Sequence, residues 1–209
     1  MPEARVHEGR FIVLRPLEAE TDAPELFAIS HSNDVARDLW RYLPSGPFDD
    51  EKSMVEFLNQ WQARPDVKAF TVRRVGDRKC LGTISLMGLR PEHGGAELGY
   101  IWYAPEAQRT AANTEACYLL LRYCFEDLRY RRVEWKCNAR NERSRAAALR
   151  LGFIFEGVFR QHMVIKGENR DTAWFSMLDS EWTIRRDHFE KSLHGGASVS
   201  LSQLNLGLI

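Results

Sequence analysis

The sequence lacks an excess of charge of either sign. Its 209 residues include 29 Lys and Arg and 29 Asp and Glu, so its formal net charge at neutral pH is zero. Proteins that bind nucleic acid usually carry a clear positive excess, because neutralising phosphates supplies most of their affinity. We therefore expect no nucleic acid partner.

Long apolar runs are absent as well. No segment approaches the roughly 20 residues that span a bilayer, and the polar stretch Met1–Gly9 lacks the apolar centre of a signal peptide. We expect no membrane partner and a cytoplasmic location. With 44% hydrophobic residues, the chain nevertheless has enough apolar surface to fold.

Cysteines are few and are not arranged for metal binding. The four of them contain no C-x-x-C pair and have no histidines at zinc spacing: Cys80, Cys117, Cys124 and Cys137. Each lies in an apolar or strand-like segment, which favours core positions in a reducing compartment. We expect no metal and no covalent cysteine intermediate.

The apolar pattern indicates a mixed α/β (α+β) domain. Alternating side chains predict strands at 11–16, 69–75, 80–87, 96–103, 132–137, 153–164 and 172–178. Helical spacing and caps predict helices beginning near Thr21 and covering 49–64, 114–128 and 141–152. The pattern fades after about Asp179, and a Gly- and Ser-rich stretch from Gly195 is typical of a flexible terminus.

The passage from Glu97 to Ala116 combines a strand, a short loop and the start of a strong helix. Backbone N–H groups and the dipole at such a helix start favour phosphate binding, and Arg109 can add a bidentate partner. Most strand–loop–helix units bind nothing, so this passage alone leaves the ligand open.

A second passage follows the next strand directly. It reads N-E-R-S-R-A-A-A-L-R-L-G-F over 141–153, while the first contains E-L-G-Y-I-W at 97–102, Q-R at 108–109 and T-E-A at 114–116. Together they resemble the GNAT N-acetyltransferase superfamily, and within it the RimJ/RimL-like branch. The likeness covers roughly residues 10–182.

The resemblance implies a fold and an activity. The fold is a mixed, mostly antiparallel central sheet of about six to seven strands flanked by helices, in a domain over 10–182 with a flexible C-terminal extension over 183–209. The activity is transfer of an acetyl group from acetyl-CoA to a primary amine, by direct attack in a ternary complex. A protein N-terminal amine and a small-molecule amine are both candidate acceptors, succinyl-CoA is an alternative donor, and homodimers are common in this branch.

The resemblance also assigns catalytic roles. Glu97 corresponds to the carboxylate that takes the amine proton, directly or through water, and Ser144 to the serine that protonates or hydrogen-bonds the departing thiolate. The alternatives are a salt-bridge role for Glu97 and a capping role for Ser144 beside Asn141. His93 and His162 are other candidate bases, because histidine titrates near neutrality.

Further residues are implied to bind the two substrates. For acetyl-CoA they are Ile101, Trp102, Tyr103, Gln108, Arg109, Thr110, Ala111, Ala112, Asn113, Thr114 and Asn141. For the acceptor they are Trp40 and Tyr42, in an aromatic loop that also contains Phe48. Core packing is the alternative for these aromatic side chains. The arginines of 129–132 and 140–150 form either a nucleic acid patch or a solvated helix face with one or two arginines near the phosphates of the coenzyme, and the zero net charge favours the second interpretation.

One feature departs from the family pattern. The family's loop usually has glycines where this chain has Ala111 and Asn113. Asparagine tolerates positive φ, and alanine adds only a methyl group. A functional loop is therefore compatible with the sequence, and a non-catalytic acyl-CoA sensor or interaction module is the alternative function.

Overall fold

The computed structural model describes residues 2–195 and 200–206 of the chain. Within these residues there are eight strands, β1 to β8: His7–Glu8, Ile12–Pro16, Lys68–Arg74, Cys80–Arg90, Gly95–Tyr103, Arg132–Asn138, Ile154–Ile165 and Glu168–Leu178. The same residues form seven α-helices, α1 to α7: Ala19–His31, Asp34–Arg37, Glu51–Gln62, Ala111–Arg122, Glu142–Arg150, Asp179–His194 and Leu201–Leu206. No described helix combines the length and apolar character needed to cross a membrane.

The strands form one mixed sheet in the order β1-β2-β3-β4-β5-β6-β8-β7. β5 and β6 run parallel, whereas β1–β2, β2–β3, β3–β4, β6–β8 and β7–β8 are antiparallel. The predicted mostly antiparallel sheet flanked by helices is therefore confirmed. The sheet exceeds the expected six to seven strands because β1 has only two residues, too few to show an alternating pattern.

The chain divides into two compact units. The first contains the residues up to Leu89 together with Gly99–Leu119. Its core is formed by α1, α3 and the strands they cover, with Leu26, Trp40, Met54 and Leu58 at most 2% exposed. In this unit Gly82 is required sterically, because a Cβ there would lie 2.1 Å from the carbonyl oxygen of Trp102.

The second unit contains Arg90–Leu98 and the chain from Leu120 onward. One face of β6 and β8 packs on the following helices, burying Val133, Trp135, Phe153 and Phe175. The four cysteines, which are shared between the two units, are all buried and form no disulfide with one another, as their sequence contexts predict.

Helix α1 begins earlier than its sequence suggests. The expected cap at Thr21–Asp22 lies inside the helix, whose N-cap is Glu18. Asp22 is fully buried and binds Arg15, Arg73 and Thr71 instead. Tertiary ion pairing thus uses the side chain that local rules assign to a cap.

The chain after Asp179 is largely helical in the structure. Trp182, Arg185, Phe189 and Leu193 are the buried positions of α6, and an arginine among them interrupts the apolar periodicity. The terminus that is predicted to be flexible includes residues 196–199 and 207–209, which lie outside the described residues. The domain boundary at 182 remains a prediction.

Candidate active site

The parallel pairing of β5 with β6 is short. It joins Gly95–Leu98 to Arg132–Trp135 and ends there, although β5 continues to Tyr103. Neighbouring residues on a strand point to opposite faces, and directly paired residues share a face. Glu97 and its partner Glu134 therefore lie on one face, and Leu98 and Trp135 lie on the other.

Glu97 is a buried carboxylate in an ion pair. The residue is 8% exposed, and Lys136 Nζ lies 2.9 Å from Glu97 Oε2. Burial raises the pKa of Glu97 above its ordinary value, and this effect exceeds the opposing effect of Lys136. A carboxylate with a raised pKa is a better proton acceptor, which suits a general base.

Glu134 joins Glu97 to a larger charged cluster on the same face. It binds Arg132 Nε at 3.0 Å, Arg90 Nη2 at 2.9 Å and Lys136 Nζ at 3.0 Å. Burial opposes the charge of Glu134, but these three cations outweigh it and lower its pKa to about 2. Glu134 is therefore a permanent anion at neutral pH.

Ser144 lies on the opposite face, where the first turn of α5 meets β6. Its Oγ accepts a hydrogen bond of 3.0 Å from Trp135 Nε1, and it also bonds the Cys137 thiol. Burial raises the pKa of that thiol, so it stays protonated at neutral pH. The Trp135 bond orients the Ser144 hydroxyl, because the donor already occupies one lone pair of the oxygen.

Asn141 is the N-cap of α5. Its side-chain oxygen accepts the Ser144 N–H at 3.1 Å, which confirms that the predicted helix over 141–152 begins with a cap at Asn141. The side-chain NH₂ group of the amide is chemically independent of this bond, so capping and ligand binding by Asn141 are compatible.

The loop after β5 leads directly into α4. Gln108, Arg109 and Thr110 are exposed. Gln108 Nε2 donates to the Tyr103 carbonyl at 3.1 Å, while the Thr110 hydroxyl accepts the Ala112 N–H at 3.2 Å. The first turn of this twelve-residue helix, flanked by Arg109, is chemically suited to an anionic group such as a pyrophosphate.

The positions that lack the family's glycines are helical. Ala111 and Asn113 lie within α4, and the residue with positive φ is Arg109, at 61°. Alanine is favoured over glycine in a helix. The departure from the family pattern therefore carries no backbone penalty, and only the added side-chain volume distinguishes this loop.

The end of β5 contains a strained residue. Tyr100 has a φ of 50°, which is rare for an aromatic residue and often marks a functional site. Its hydroxyl bonds Ser45 Oγ at 2.6 Å. Trp102 and Tyr103 are buried while Ile101 is partly exposed, so backbone groups are the parts of Trp102 and Tyr103 most able to meet a ligand.

The aromatic loop residues differ in accessibility. Trp40 is fully buried, donates to the Ser30 carbonyl and lies 5.3 Å from the Trp102 ring. Direct contact of Trp40 with an acceptor is therefore blocked in this structure, because the ring is part of the core. Tyr42 is half-buried, with the Arg41 guanidinium over its ring.

The alternative bases have less suitable surroundings. The side chain of His93 is 75% exposed, and His162, on the exposed strand β7, bonds Thr172 Oγ1 of β8 through its ring. Both histidines are exposed, whereas Glu97 is buried and burial raises its pKa. Among the described residues, no group of three or more His, Cys, Asp or Glu side chains is placed to hold a metal ion.

Comparison with known proteins identifies the family of this chain. The sequence model of the "Acetyltransferase (GNAT) domain" family matches residues 12–154. The chain belongs to the GNAT acetyltransferase family. Enzymes of this family use acetyl-CoA, so this protein is an acetyl-CoA-dependent GNAT N-acetyltransferase.

Individual relatives place this GNAT protein in the RimJ/RimL-like branch. It is 30% identical over 172 residues to the "Putative ribosomal N-acetyltransferase YdaF" of Bacillus subtilis, covering 82% of this chain and 93% of the relative. It is 33% identical to the "Ribosomal-protein-serine acetyltransferase" of Escherichia coli, covering 64% and 73%. A GCN5-related N-acetyltransferase structure from Brucella melitensis matches with a TM-score of 0.91 and 39% identity, covering 98% and 95%.

Sequence reasoning missed two features of this GNAT site. Lys136 looks like an ordinary polar strand residue, but its alternation with Trp135 places it on the face of Glu97. The positive φ of Tyr100 has no local signal apart from the preceding Gly99. Strand alternation alone places Lys136 on the face of Glu134, but its contact with Glu97 follows only from the register that pairs Glu97 with Glu134.

Proposed function

We propose that this protein transfers the acetyl group of acetyl-CoA to a primary amine by direct attack in a ternary complex, with a protein N-terminal α-amine as the acceptor. The observation that carries the proposal is the placement of Glu97 and Ser144. A buried carboxylate lies on one face of the β5–β6 pair and an oriented hydroxyl on the other, where the pairing ends at Leu98 and Trp135. Acetyl-CoA supplies the acetyl group as a thioester.

Glu97 acts as the base in this mechanism. It takes the proton that the amine loses as the C–N bond forms, directly or through water. Its raised pKa keeps the proton affinity high, and Lys136 balances its charge before the proton arrives.

Ser144 acts as the acid. Its hydroxyl donates a proton to the sulfur as the C–S bond breaks, so the leaving group departs as a thiol, and the serine oxygen regains a proton from solvent. The hydrogen bond from Trp135 strengthens this donation, because a hydroxyl that accepts a hydrogen bond becomes a better donor.

The remaining predicted residues hold the cofactor. The first turn of α4, with Gln108, Arg109 and Thr110 before it, suits the pyrophosphate, because N–H groups and a guanidinium converge on negative charge. The family resemblance assigns the pantetheine arm to backbone groups of residues 101–103 in the first unit and, separately, to the amide of Asn141 in the second. Tyr42 stays a candidate for acceptor contact.

The preference for an α-amine follows from its acidity. About a tenth of an α-amine is uncharged at pH 7, against well under a thousandth of a lysine ε-amine. A cation already lies 2.9 Å from Glu97, so a second charged ammonium group is disfavoured there. The names of the Bacillus and Escherichia relatives support a protein acceptor. A small-molecule amine is the alternative acceptor, and succinyl-CoA is the alternative donor.

A homodimer and a cytoplasmic location complete the proposal. β7 is last in the strand order, and Phe155, Phe159 and Val164 are 44%, 53% and 75% exposed. An apolar edge strand can pair with another chain. Sedimentation should therefore give a dimer mass, and Val164→Glu should lower it; a monomer at all concentrations would contradict the dimer.

The test combines binding and turnover. Calorimetry with acetyl-CoA should show binding, and thiol release should follow with N-terminal peptides but much more slowly with Nα-blocked lysine. Failure of acetyl-CoA to bind would overturn the proposed acetyl transfer. Binding without thiol release across peptides and small amines would instead favour a non-catalytic acyl-CoA sensor. The sensor hypothesis is based on the missing glycines, and the helical conformation of Ala111 and Asn113 weakens that basis.

Glu97→Gln tests the base. We expect the variant to need a higher pH than the original protein to reach a given kcat/KM, because without the base the amine must arrive already deprotonated. Glu92→Gln is the matched control, since the Glu92 side chain is 67% exposed. An unchanged profile in Glu97→Gln would remove Glu97 as the base.

A further inference from the structure

Lys136 occupies a bridging position between two buried carboxylates. Its Nζ lies 2.9 Å from Glu97 Oε2 and 3.0 Å from Glu134 Oε2. The ammonium group also lies 4.0 Å from the centre of the Trp174 ring, within the range of a cation–π contact. Three partners thus fix a side chain that is 17% exposed.

The two carboxylates depend on Lys136 to different degrees. Glu134 also binds Arg132 and Arg90 through Oε1, so its charge is compensated without the lysine. Among the described residues, Glu97 forms its ion pair with Lys136, and Arg170 on β8 acts on it through charge without a direct contact. Removing the lysine should therefore affect Glu97 most.

We propose that Lys136 is a positioning residue for Glu97: anchored by Glu134 and Trp174, it holds one carboxylate oxygen of Glu97 and leaves the other to accept the proton of the acceptor amine. The proposal rests on the proposed role of Glu97 as base. It adds a residue that touches neither substrate but determines where the base points and when it is ionised.

The charges that face Glu97 support this assignment. Burial raises the pKa of Glu97, Lys136 opposes that effect most strongly, Glu134 adds to it, and Arg170 opposes it weakly. Without Lys136, a buried carboxylate beside the permanent anion Glu134 would hold its proton to higher pH. It would then be protonated, and unavailable as a base, at pH values where the original protein has it ionised.

The first test does not depend on catalysis. In protein labelled with ¹³C at the glutamate carboxyl carbon, the NMR signal that disappears in Glu97→Gln reports the ionisation of Glu97. We expect Lys136→Met to move the titration midpoint of that signal to higher pH by about one pH unit or more. Lys136→Arg should keep the midpoint close to that of the original protein, because it retains the charge.

The second test uses turnover. Lys136→Met should move the acidic limb of the kcat/KM profile to higher pH by about one pH unit, so that kcat/KM at a given pH on that limb falls by about tenfold, one pH unit being a factor of ten in the ionised fraction there. In the Glu97→Gln background the same change should have little further effect, because the residue it positions is gone. Lys136→Arg should restore the profile.

Two results would overturn the proposal. One is an unchanged Glu97 midpoint in folded Lys136→Met; the other is an equal loss of kcat/KM with and without Glu97. Failure of the proposed function is distinguishable, since in that case Glu97→Gln itself leaves the pH profile unchanged while the NMR midpoint still responds to Lys136. If Lys136→Met does not fold, Lys136→Gln, which keeps a polar side chain, replaces it in both tests.

Discussion

Asp22 shows how a single buried charge stabilises the first unit. Its carboxylate accepts from Arg73 Nη2 at 3.0 Å, Thr71 Oγ1 at 2.6 Å and the Glu18 N–H at 3.0 Å, and it contacts Arg15. Asp22→Asn keeps a side chain of similar size but removes the negative charge that pairs with Arg73. Removing one member of a buried ion pair costs about 3 kcal/mol or more, which urea unfolding at pH 7 should show.

Asp77→Asn is the matched control for this prediction. Asp77 pairs with Arg74 at 3.6 Å on the surface, where both side chains are about half exposed, 54% and 46%. Exposed pairs contribute about 1 kcal/mol or less. A loss for Asp22→Asn no larger than for Asp77→Asn would contradict the role of burial.

The pH dependence of Asp22 follows from its lowered pKa. Burial opposes its charge, but hydrogen bonds from Glu18, Thr71 and Arg73 outweigh burial. The carboxylate is therefore favoured in the folded state, and its contribution is full above the unfolded pKa of about 4. The stability difference between Asp22 and Asp22→Asn should shrink as the pH falls through the lowered folded value.

Ser144 allows a kinetic prediction at the same scale. Ser144→Ala should lower turnover by about a hundredfold, because general acid catalysis typically contributes a factor of that order. Calorimetry should find acetyl-CoA affinity nearly unchanged, and Ser144→Thr, which keeps the hydroxyl, should retain most of the rate. If turnover in Ser144→Ala equalled that of the original protein, Ser144 would have only a structural role, through its bonds to Trp135 and Cys137.

At the scale of elements, helix α5 begins with a residue that has two candidate roles. Asn141 caps the helix through its side-chain oxygen, and its NH₂ group is proposed to meet the pantetheine arm. Asn141→Ala should lose the cap, at about 1 kcal/mol of unfolding free energy. Asn141→Asp should keep the cap, because aspartate is an equally good N-cap.

Acetyl-CoA affinity then separates the roles of Asn141. If the amide binds the cofactor, Asn141→Asp should bind acetyl-CoA more weakly by calorimetry while unfolding at the same temperature as the original protein. If Asn141→Asp matches the original protein in both measurements, the residue is a cap alone. Asn169→Asp, on the exposed start of β8, is the control for the added charge.

The predictability of each element depends on how local its cause is. The strands around Gly76 and the helix capped by Asn141 follow from turns, caps and periodicity, and the structure has them at the predicted places. The start of α1 could not be predicted, because the fate of Asp22 depends on arginines far away in the sequence. For the site, the resemblance indicates Glu97 and Ser144, whereas the Lys136 bridge requires the register of β5 on β6.

At the scale of the whole molecule, the chain beyond the family match contributes to the second unit. The family match ends at 154, yet α6 and α7 bury Trp182, Phe189 and Leu201. Asn205, 1% exposed, donates to the Arg150 carbonyl at the end of α5 at 2.9 Å. The C-terminal helix is therefore part of the folded unit rather than an appendage.

Truncation after His194 should therefore destabilise the protein. It removes Asn205, which accepts from Arg185 Nη1 at 3.1 Å and bonds His188 Nδ1 at 2.8 Å, and it leaves the buried guanidinium of Arg185 without this acceptor. An unsatisfied buried charged group costs about 2 kcal/mol or more, so the chemical unfolding midpoint should fall. A chain ending at Leu206 is the control, and Asn205→Ala should reproduce part of the loss; equal midpoints for both truncated chains would show that α7 adds nothing to the stability of the second unit.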